Sequence, residues 1–222
     1  MKVRQYQVTL TGESPLLMHA CSIDGQNAVK KWQKDPLNKG ISTAGDDRCP
    51  AFTWITYCYH NGKNLVIDAD NIMSMLRDAG AKCPATTGRG SLKAATQCGI
   101  ISEGLGWDLY NNGRLIPWEP LERYLTENDF EKHLELVEQL GFELFQKRAT
   151  VGKNKHIRIR PRFSNWRAEG VITVLDEQLT QKVVQTILNM GGFYVGMCDW
   201  RPGCKNPGQF GRFSATVKEL KN

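Results

Sequence analysis

The residues best suited to binding chemistry lie in one basic segment between positions 147 and 167. The segment contains no acidic residue, and its eight cations are Lys147, Arg148, Lys153, Lys155, Arg158, Arg160, Arg162 and Arg167. Side chains two residues apart in a strand share one face and lie about 6.5 to 7 Å from each other. The sequence therefore predicts a strand that projects Arg158, Arg160 and Arg162 to one side. There their rigid guanidinium groups would contact successive phosphates of a polyanion.

Aromatic residues near this segment extend the hypothesis. Phe163 and Trp166 are expected to offer stacking faces beside the cations, a combination typical of proteins that bind single-stranded nucleic acid. A simpler interpretation stays open, in which the arginines form an ordinary solvent face paired with an acidic helix predicted near residues 127–138. The run of eight cations without an acid favours the binding interpretation.

Two glycine-containing segments add candidate contacts. Residues 86–93 read Thr-Thr-Gly-Arg-Gly-Ser-Leu-Lys, and their glycines can free backbone N–H groups beside Arg89 and Lys93. This segment lacks the spacing of a P-loop and also fits a flexible surface turn. Residues 191–213 are rich in glycine, with Arg201 and Arg212 as sources of charge and Trp200 and Phe210 as aromatic planes. Glycines at this density allow close approach to a ligand, or simply a tight return loop.

Residues that could carry catalysis do not form a recognisable motif. The four histidines stand apart, and the seven cysteines include no C-x-x-C pair. Asp24, Asp35, Asp46 and Asp47 lie in a predicted long loop, where two adjacent carboxylates could bind a divalent metal. The sequence thus predicts no catalytic residue, no metal site and no cofactor. A metal-dependent ribonuclease that uses the loop aspartates is an alternative.

Hydrophobic periodicity predicts the elements that must position these residues. Alternating Tyr6, Val8 and Leu10 predict a first strand with one buried face. Residues 51–59 predict a second strand, because they are rich in β-branched and aromatic side chains. Helices are predicted near 70–80, 125–141 and 177–190.

The order of these elements predicts the fold class. The chain of 222 residues is expected to form a single domain, with a long loop at about 19–50 and an irregular or helical insertion at about 105–150. Strands that alternate with helices, together with hairpin signals, favour an α+β fold. The specific expectation is a ferredoxin-like (RRM-like) antiparallel sheet with helices on one face and long insertions.

Composition limits the cellular context. The net charge is +6, and 41% of residues are hydrophobic, which is enough for a sizeable core. The first residues run directly into the alternating strand, without the apolar stretch of a signal peptide. No apolar run approaches the roughly 20 residues that span a bilayer. The sequence therefore predicts a cytoplasmic protein without a membrane partner.

Several short motifs resemble known protein groups. The glycines of 191–196 and 208–211 and the segment 90–94 (Gly-Ser-Leu-Lys-Ala) resemble the glycine-rich loop and mid-chain helix start of the RAMP superfamily, whose ferredoxin-like members form the backbones of CRISPR effector complexes. Residues 15–19 (Pro-Leu-Leu-Met-His), 35–37 (Asp-Pro-Leu) and 198–202 (Cys-Asp-Trp-Arg-Pro) resemble small uncharacterised proteins of tailed bacteriophages. The phage motif begins with glycine where this chain has Cys198.

The resemblance to RAMP proteins implies a binding role. Such proteins hold single-stranded RNA along a positively charged sheet and stack head to tail along it. By analogy, residues 19–50 would form a thumb, and Lys93 with the strand at 158–162 would face the RNA. Some relatives cut the bound RNA with a loop aspartate, for which Asp24 or Asp35 would be the position. The phage resemblance would place the protein in the host cytoplasm.

The predicted function is a non-catalytic protein that binds single-stranded nucleic acid, with RNA favoured over DNA. It is expected to self-associate along the strand or to be a subunit of a larger complex. The predicted contact residues are Arg89, Lys93, Lys153, Lys155, Arg158, Arg160, Arg162, Trp166, Arg201 and Arg212. Another alternative is a phage interaction protein that inhibits a host defence or binds a phosphorylated ligand.

Overall fold

Ten strands and six α-helices are present in the computed structural model, which describes residues 3–43, 45–151 and 153–220. The strands are β1 (Arg4–Gly12), β2 (Leu16–Leu17), β3 (Val66–Asp68), β4 (Ile100–Ser102), β5 (Gly106–Asn111), β6 (Arg114–Leu115), β7 (Glu143–Val151), β8 (Asn154–Phe163), β9 (Trp166–Val174) and β10 (Phe213–Leu220). The helices are α1 (Ile23–Lys34), α2 (Ala69–Gly80), α3 (Lys93–Cys98), α4 (Glu119–Arg123), α5 (Phe130–Leu140) and α6 (Gln181–Met190). The protein has an α+β fold with antiparallel sheets, as the sequence predicts at this level.

Within the described ranges, the larger sheet has seven strands. Its main order is β10, β1, β9, β5 and β3, with β4 also pairing with β9 and β6 with β5. The alternation predicted for the first strand is confirmed, because Tyr6, Val8 and Leu10 are buried while their neighbours are more exposed. Val8 lies opposite Val217 on one side and Gly170 on the other, so β1 occupies the interior of the sheet.

Of the helices that pack on this sheet, α2 begins one residue before its predicted range of 70–80 and α6 begins four residues after its predicted start at 177. α2 and α6 contact each other as well as strands of the larger sheet. The N-cap of α2 is Asp68, whose carboxylate accepts a hydrogen bond from Asp70 N at 2.8 Å. α6 buries Val184, Ile187 and Leu188. In the part of the chain that the structure describes, no helix is long and apolar enough to cross a bilayer.

Residues 19–50 are more regular than predicted. α1 begins after Ser22, whose hydroxyl accepts a hydrogen bond from Gly25 N at 3.1 Å. A short 3-10 helix, Pro36–Asn38, follows it directly. The prediction of an irregular loop was therefore wrong for this stretch. Gly25 is the one buried residue described in α1, so the helix has almost no core-facing side chains. A helix so weakly buried carries little apolar periodicity in its sequence.

A strand was predicted for residues 51–59, but most of this segment is helical. Ala51–Tyr57 is a 3-10 helix whose first six residues are buried. Its two threonine hydroxyls satisfy backbone carbonyls, with Thr53 donating to Pro50 O at 2.6 Å and Thr56 to Thr53 O at 2.7 Å. β-branched and aromatic residues mark burial as much as strand structure, so their density here indicated the core and not the backbone conformation.

The predicted insertion at about 105–150 begins inside the larger sheet. Residues 106–111 form β5, which pairs with both β9 and β3. The chain leaves the sheet only after this strand, through β6, α4 and α5 to β7. Alternating burial along β5, with Trp107, Leu109 and Asn111 buried, marks it as a strand with one face in the core.

The smaller sheet consists of β2, β8 and β7 and contains most of the predicted basic segment. One of its faces packs into the same hydrophobic cluster as the larger sheet, through Ile159 and Phe163. The Phe163 ring lies 4.9 Å from Phe142, which in turn contacts Trp54 at 5.9 Å between ring centroids. This packing fixes the position of the β7–β8 hairpin relative to the core.

Candidate nucleic-acid interface

The free end of the β7–β8 hairpin is strongly basic. Arg148, Lys153 and Lys155 are exposed there, and positions 144–168 contain no acidic residue. None of the three makes an ion pair with another described residue. Arg148 and Lys155 point to one face of the hairpin and Lys147 to the other, given their register. We call Arg148, Lys153 and Lys155 the basic tip.

The three central arginines of β8 share a face, as predicted, but each is held by a carboxylate. The ion pairs are Arg158 with Asp47, Arg160 with Asp199 and Arg162 with Glu143. The three guanidinium side chains are 29%, 15% and 33% exposed. Their partners come from loops and from β7, so the alternative of pairing with the acidic helix is wrong in its partners. A phosphate at these arginines would have to compete with an existing carboxylate.

The Asp47 pair joins the loop before the 3-10 helix to β8. The buried Asp47 carboxylate accepts hydrogen bonds from Arg158 at 2.8 Å and from Ile159 N at 3.2 Å. Burial, followed by the nearby Asp47 charge, raises the pKa of Tyr57 to about 12, so this phenol keeps its proton at neutral pH. These contacts stabilise the attachment of the loop to the hairpin.

A second polar group surrounds Arg160. Its Nε lies 2.7 Å from Asp199 Oδ2, although without good hydrogen-bond alignment. Partial desolvation, followed by the Arg160 charge, lowers the pKa of His19, so its ring is neutral at pH 7. The His19 ring also meets Tyr57 edge to face, with centroids 4.5 Å apart. With each arginine balanced by a carboxylate, this region offers hydrogen bonds but little net charge.

An aromatic cluster lies over the same face of the hairpin as the three arginines, since Phe145 is opposite Arg160 and Lys147 is opposite Arg158. The sequence indicated its rings Trp200 and Phe210 but not their contact with β7. Lys147 Nζ lies 2.8 Å from the centroid of the Trp200 ring, a cation–π contact. Phe210 packs 5.4 Å from Trp200 and 5.3 Å from Phe145. All four residues are partly exposed. We call Phe145, Lys147, Trp200 and Phe210 the aromatic face. The signal for it was the pair of aromatic residues in the glycine-rich segment, which folds back onto β7.

The aromatic residues predicted to stack beside the basic strand do not fit that role. Trp166 is 1% exposed, and its indole N–H donates a hydrogen bond to Ser14 O at 2.8 Å. Phe163 is fully buried. Both predictions were wrong because these residues occupy the core-facing positions of β8 and β9, and a buried ring presents no face to a base. The partly exposed rings at this hairpin are instead those of Phe145, Trp200 and Phe210.

Arg201 and Arg212 are engaged with neighbouring backbone. Arg201 donates to Cys198 O at 3.3 Å, and its second terminal nitrogen lies 3.8 Å from Asp78. Arg212 donates to Phe193 O, and its guanidinium carbon lies 5.7 Å from the Phe193 ring. Arg201 therefore helps to hold the glycine-rich segment against α2, while Arg212 lies beside an exposed ring.

Arg89 and Lys93 lie on a different part of the fold. Both are exposed, Arg89 in the loop closed by the Pro84–Ser91 bridge and Lys93 as the first residue of α3. α3 packs against α2 and β4, which belong to the layer of the larger sheet. These two residues therefore lie away from the strands that carry the basic tip.

Of the two aspartates named as candidates for RNA cleavage, Asp35 caps a short helix and Asp24 borders a cavity. Asp35 accepts a hydrogen bond from Leu37 N at 2.9 Å at the start of the 3-10 helix. Asp24 lies in the first turn of α1 and lines a cavity of about 350 Å³ that also includes Glu122 and His60. Among the described residues, no group of three or more His, Cys, Asp or Glu side chains is arranged to hold a metal ion.

Comparison with known proteins gives no family assignment. No protein-family model matches the chain, and no curated protein matches it either. Function must therefore be argued from the geometry of the basic tip and the aromatic face.

Proposed function

We propose that this protein binds single-stranded nucleic acid through the β7–β8 hairpin, without catalysing a reaction on it. The observation that carries this proposal is the basic tip, where three exposed cations have no ion-pair partner among the described residues. Polyanions bind such clusters because neutralised phosphates release condensed counterions. The preference for RNA over DNA rests on the resemblance to RAMP proteins alone.

The aromatic face supports a single strand as the ligand. Unpaired bases can stack on partly exposed rings, and Trp200 and Phe210 provide two such rings beside Lys147. In a duplex the base faces are already stacked, so this contribution is absent. Stacking of this kind is tolerant of sequence because every base has a π face.

The strand order supports a finer description of the fold. If β4 and β5 are taken as one strand, the main elements are β1, α2, β4–β5, β9, α6 and β10, with the spatial order β10, β1, β9, β5. We infer a ferredoxin-like sheet in which α1 and the smaller sheet belong to insertions. This inference is also the structural basis for proposing a relationship to the RAMP superfamily, although a shared fold does not by itself assign a function.

Assembly is proposed on the same resemblance. The protein would coat a strand as a homo-oligomer or act as one subunit of a larger complex in the cytoplasm. Size-exclusion chromatography with and without a long single strand tests this, because coating gives a species that grows with strand length.

The hairpin is tested by removing the two lysines at its tip. Lys153→Ala with Lys155→Ala is expected to weaken binding to labelled single strands of any sequence. The slope of log affinity against log salt should fall in magnitude by about 1.4, or about 0.7 for each lost phosphate contact. Binding is measured by fluorescence anisotropy at several salt concentrations, with nuclease-treated protein and with RNA, DNA and duplex probes.

The matched control moves the same charge change to another surface. Lys182 on α6 and Lys218 on β10 are exposed, so Lys182→Ala with Lys218→Ala removes two charges while leaving the hairpin intact. Equal loss of affinity in both double variants would contradict binding through the hairpin. If the wild type fails to bind at low salt, the nucleic-acid proposal is overturned, and an acidic protein or a phosphorylated ligand becomes the class to test.

A further inference from the structure

Two exposed aromatic rings stand side by side on an unusual turn at the end of α6. Phe193 is 64% exposed and Tyr194 is 51% exposed, and their rings meet edge to face with centroids 4.9 Å apart. They belong to the π-helical turn Gly191–Val195, closed by a hydrogen bond from Gly196 N to Gly191 O at 2.8 Å. π-helical turns occur frequently at functional sites. Adjacent exposed apolar side chains, unlike scattered single ones, are candidates for a binding surface.

The turn that carries these rings is held firmly by its neighbours. Gly191 and Gly192 are buried, and a Cβ atom on Gly192 would overlap the carbonyl oxygen of Phe213. Val195 on the far side of the turn is also buried. The backbone is therefore fixed against β10 while the two rings project outward, so little conformational entropy is lost from the backbone when a ligand stacks on them.

Arg212 adds charge directly beside the rings. Its guanidinium donates to Phe193 O and lies 5.7 Å from the Phe193 ring, so its position is set by the same turn. Arg212 is itself partly exposed, and none of the ion pairs found among the described residues includes it. An aromatic pair next to a cation that has no carboxylate partner among the described residues suits a ligand that has both a flat ring and a phosphate.

We propose that Phe193, Tyr194 and Arg212 form a stacking site for an unpaired nucleobase and its phosphate, separate from the basic tip. This inference rests on the proposed function, since the base would belong to the strand bound at the hairpin. The chain links the two surfaces, because Phe210 of the aromatic face is two residues before Arg212. Cα atoms two residues apart lie no more than about 7 Å from each other, so Arg212 is within reach of a strand bound at Phe210.

The experiment uses a strand with bases and a strand without them. Phe193→Ala with Tyr194→Ala is expected to weaken binding of a single-stranded homopolymer about 5- to 150-fold, the range expected when stacking of one base is lost. The slope of affinity against salt should stay that of the wild type, because no charge is removed. An abasic strand of equal length should bind the wild type and this variant equally.

Both rings are exposed, so these changes should leave folding intact. Leu37→Ala, which truncates an 86% exposed apolar residue elsewhere, serves as the control and should bind like the wild type.

Three outcomes would contradict this site. Wild-type affinity in the double ring variant, combined with weakened binding in the Lys153/Lys155 variant, would overturn this site alone. Loss of a dimer on size exclusion, with unchanged strand affinity, would overturn it in favour of a protein contact. A wild type that binds no strand would overturn the proposed function and this site together.

Discussion

Asp47 connects the loop before Ala51 to the β7–β8 hairpin through two hydrogen bonds. It is 4% exposed and bonds both the Arg158 guanidinium and the Ile159 backbone amide. Its neighbour Asp46 has a similar sequence environment but pairs with the exposed Arg48. Two adjacent aspartates thus make contacts of very different energetic value, which their sequence does not distinguish.

Asp47→Ala is expected to lower the free energy of unfolding by about 2 to 4 kcal/mol, because it leaves a partly buried guanidinium and a buried amide without a partner. Asp46→Ala is the matched control, and its surface pair should cost about 1 kcal/mol or less. Urea denaturation of the two variants makes the comparison. Equal losses would contradict the structural role of Asp47.

His133 is a buried histidine whose neighbours fix its neutral form. Its Nδ1 accepts a hydrogen bond from the Trp54 indole at 3.2 Å, and its Nε2 lies 3.0 Å from Glu127 O. The proton is therefore assigned to Nε2. Burial lowers the pKa of His133. Because the unfolded state binds a proton more readily, stability is lost as pH falls below the unfolded value of about 6.5.

We therefore expect the urea midpoint to decrease between about pH 7.5 and pH 5.5, with His19 and His60 contributing in the same direction because their pKa values are also lowered. Of these three histidines, only His133 is buried. His133→Gln removes its titration and should make the pH dependence shallower, whatever its effect on stability at pH 7.5. Parallel pH curves for the variant and the wild type would contradict this assignment.

At the scale of elements, the junction between α6 and β10 depends on close backbone contact. The π-helical turn lets the chain pass from α6 into the glycine-rich segment while Gly192 lies against Phe213. A side chain at this position has no space that a rotamer change could provide, because the obstructing atom is backbone. The paired rings of Phe193 and Tyr194 are therefore placed by glycines that themselves contact no ligand.

Gly192→Ala is expected to destabilise the protein by about 2 to 3 kcal/mol, or to prevent folding, through this overlap. Gly40 provides the control, since nothing lies within 4 Å of a Cβ built there. Gly40→Ala should change stability by about 0.5 kcal/mol or less. Thermal unfolding followed by circular dichroism compares the two, and similar midpoints would show that the turn can relax.

At the scale of the whole molecule, the net charge of +6 is distributed unevenly. The basic tip projects from the smaller sheet, whereas Asp24, Asp68, Asp70 and Glu122 line two neighbouring cavities that share Ser22. If the proposed ligand binds, this asymmetry would orient an approaching strand toward the hairpin, and the effect would weaken as salt screens it.

The sequence alone determined the features that depend on local pattern. The alternation of Tyr6, Val8 and Leu10 predicted β1, and the eight cations between Lys147 and Arg167 identified the basic segment. The helices near 70–80 and 177–190 were predicted from the helical spacing of their apolar residues, which the structure buries. Each of these signals lies within a short window, where side-chain periodicity directly reports the backbone.

Only the tertiary structure decided which charges and rings are available. Arg158 pairs with Asp47, 111 positions away, and Trp166 turns into the core to reach Ser14. Trp200 meets Lys147 only because the glycine-rich segment folds over β7. Partners so distant in sequence leave no local periodicity, so whether a side chain is paired, buried or free is set by long-range packing.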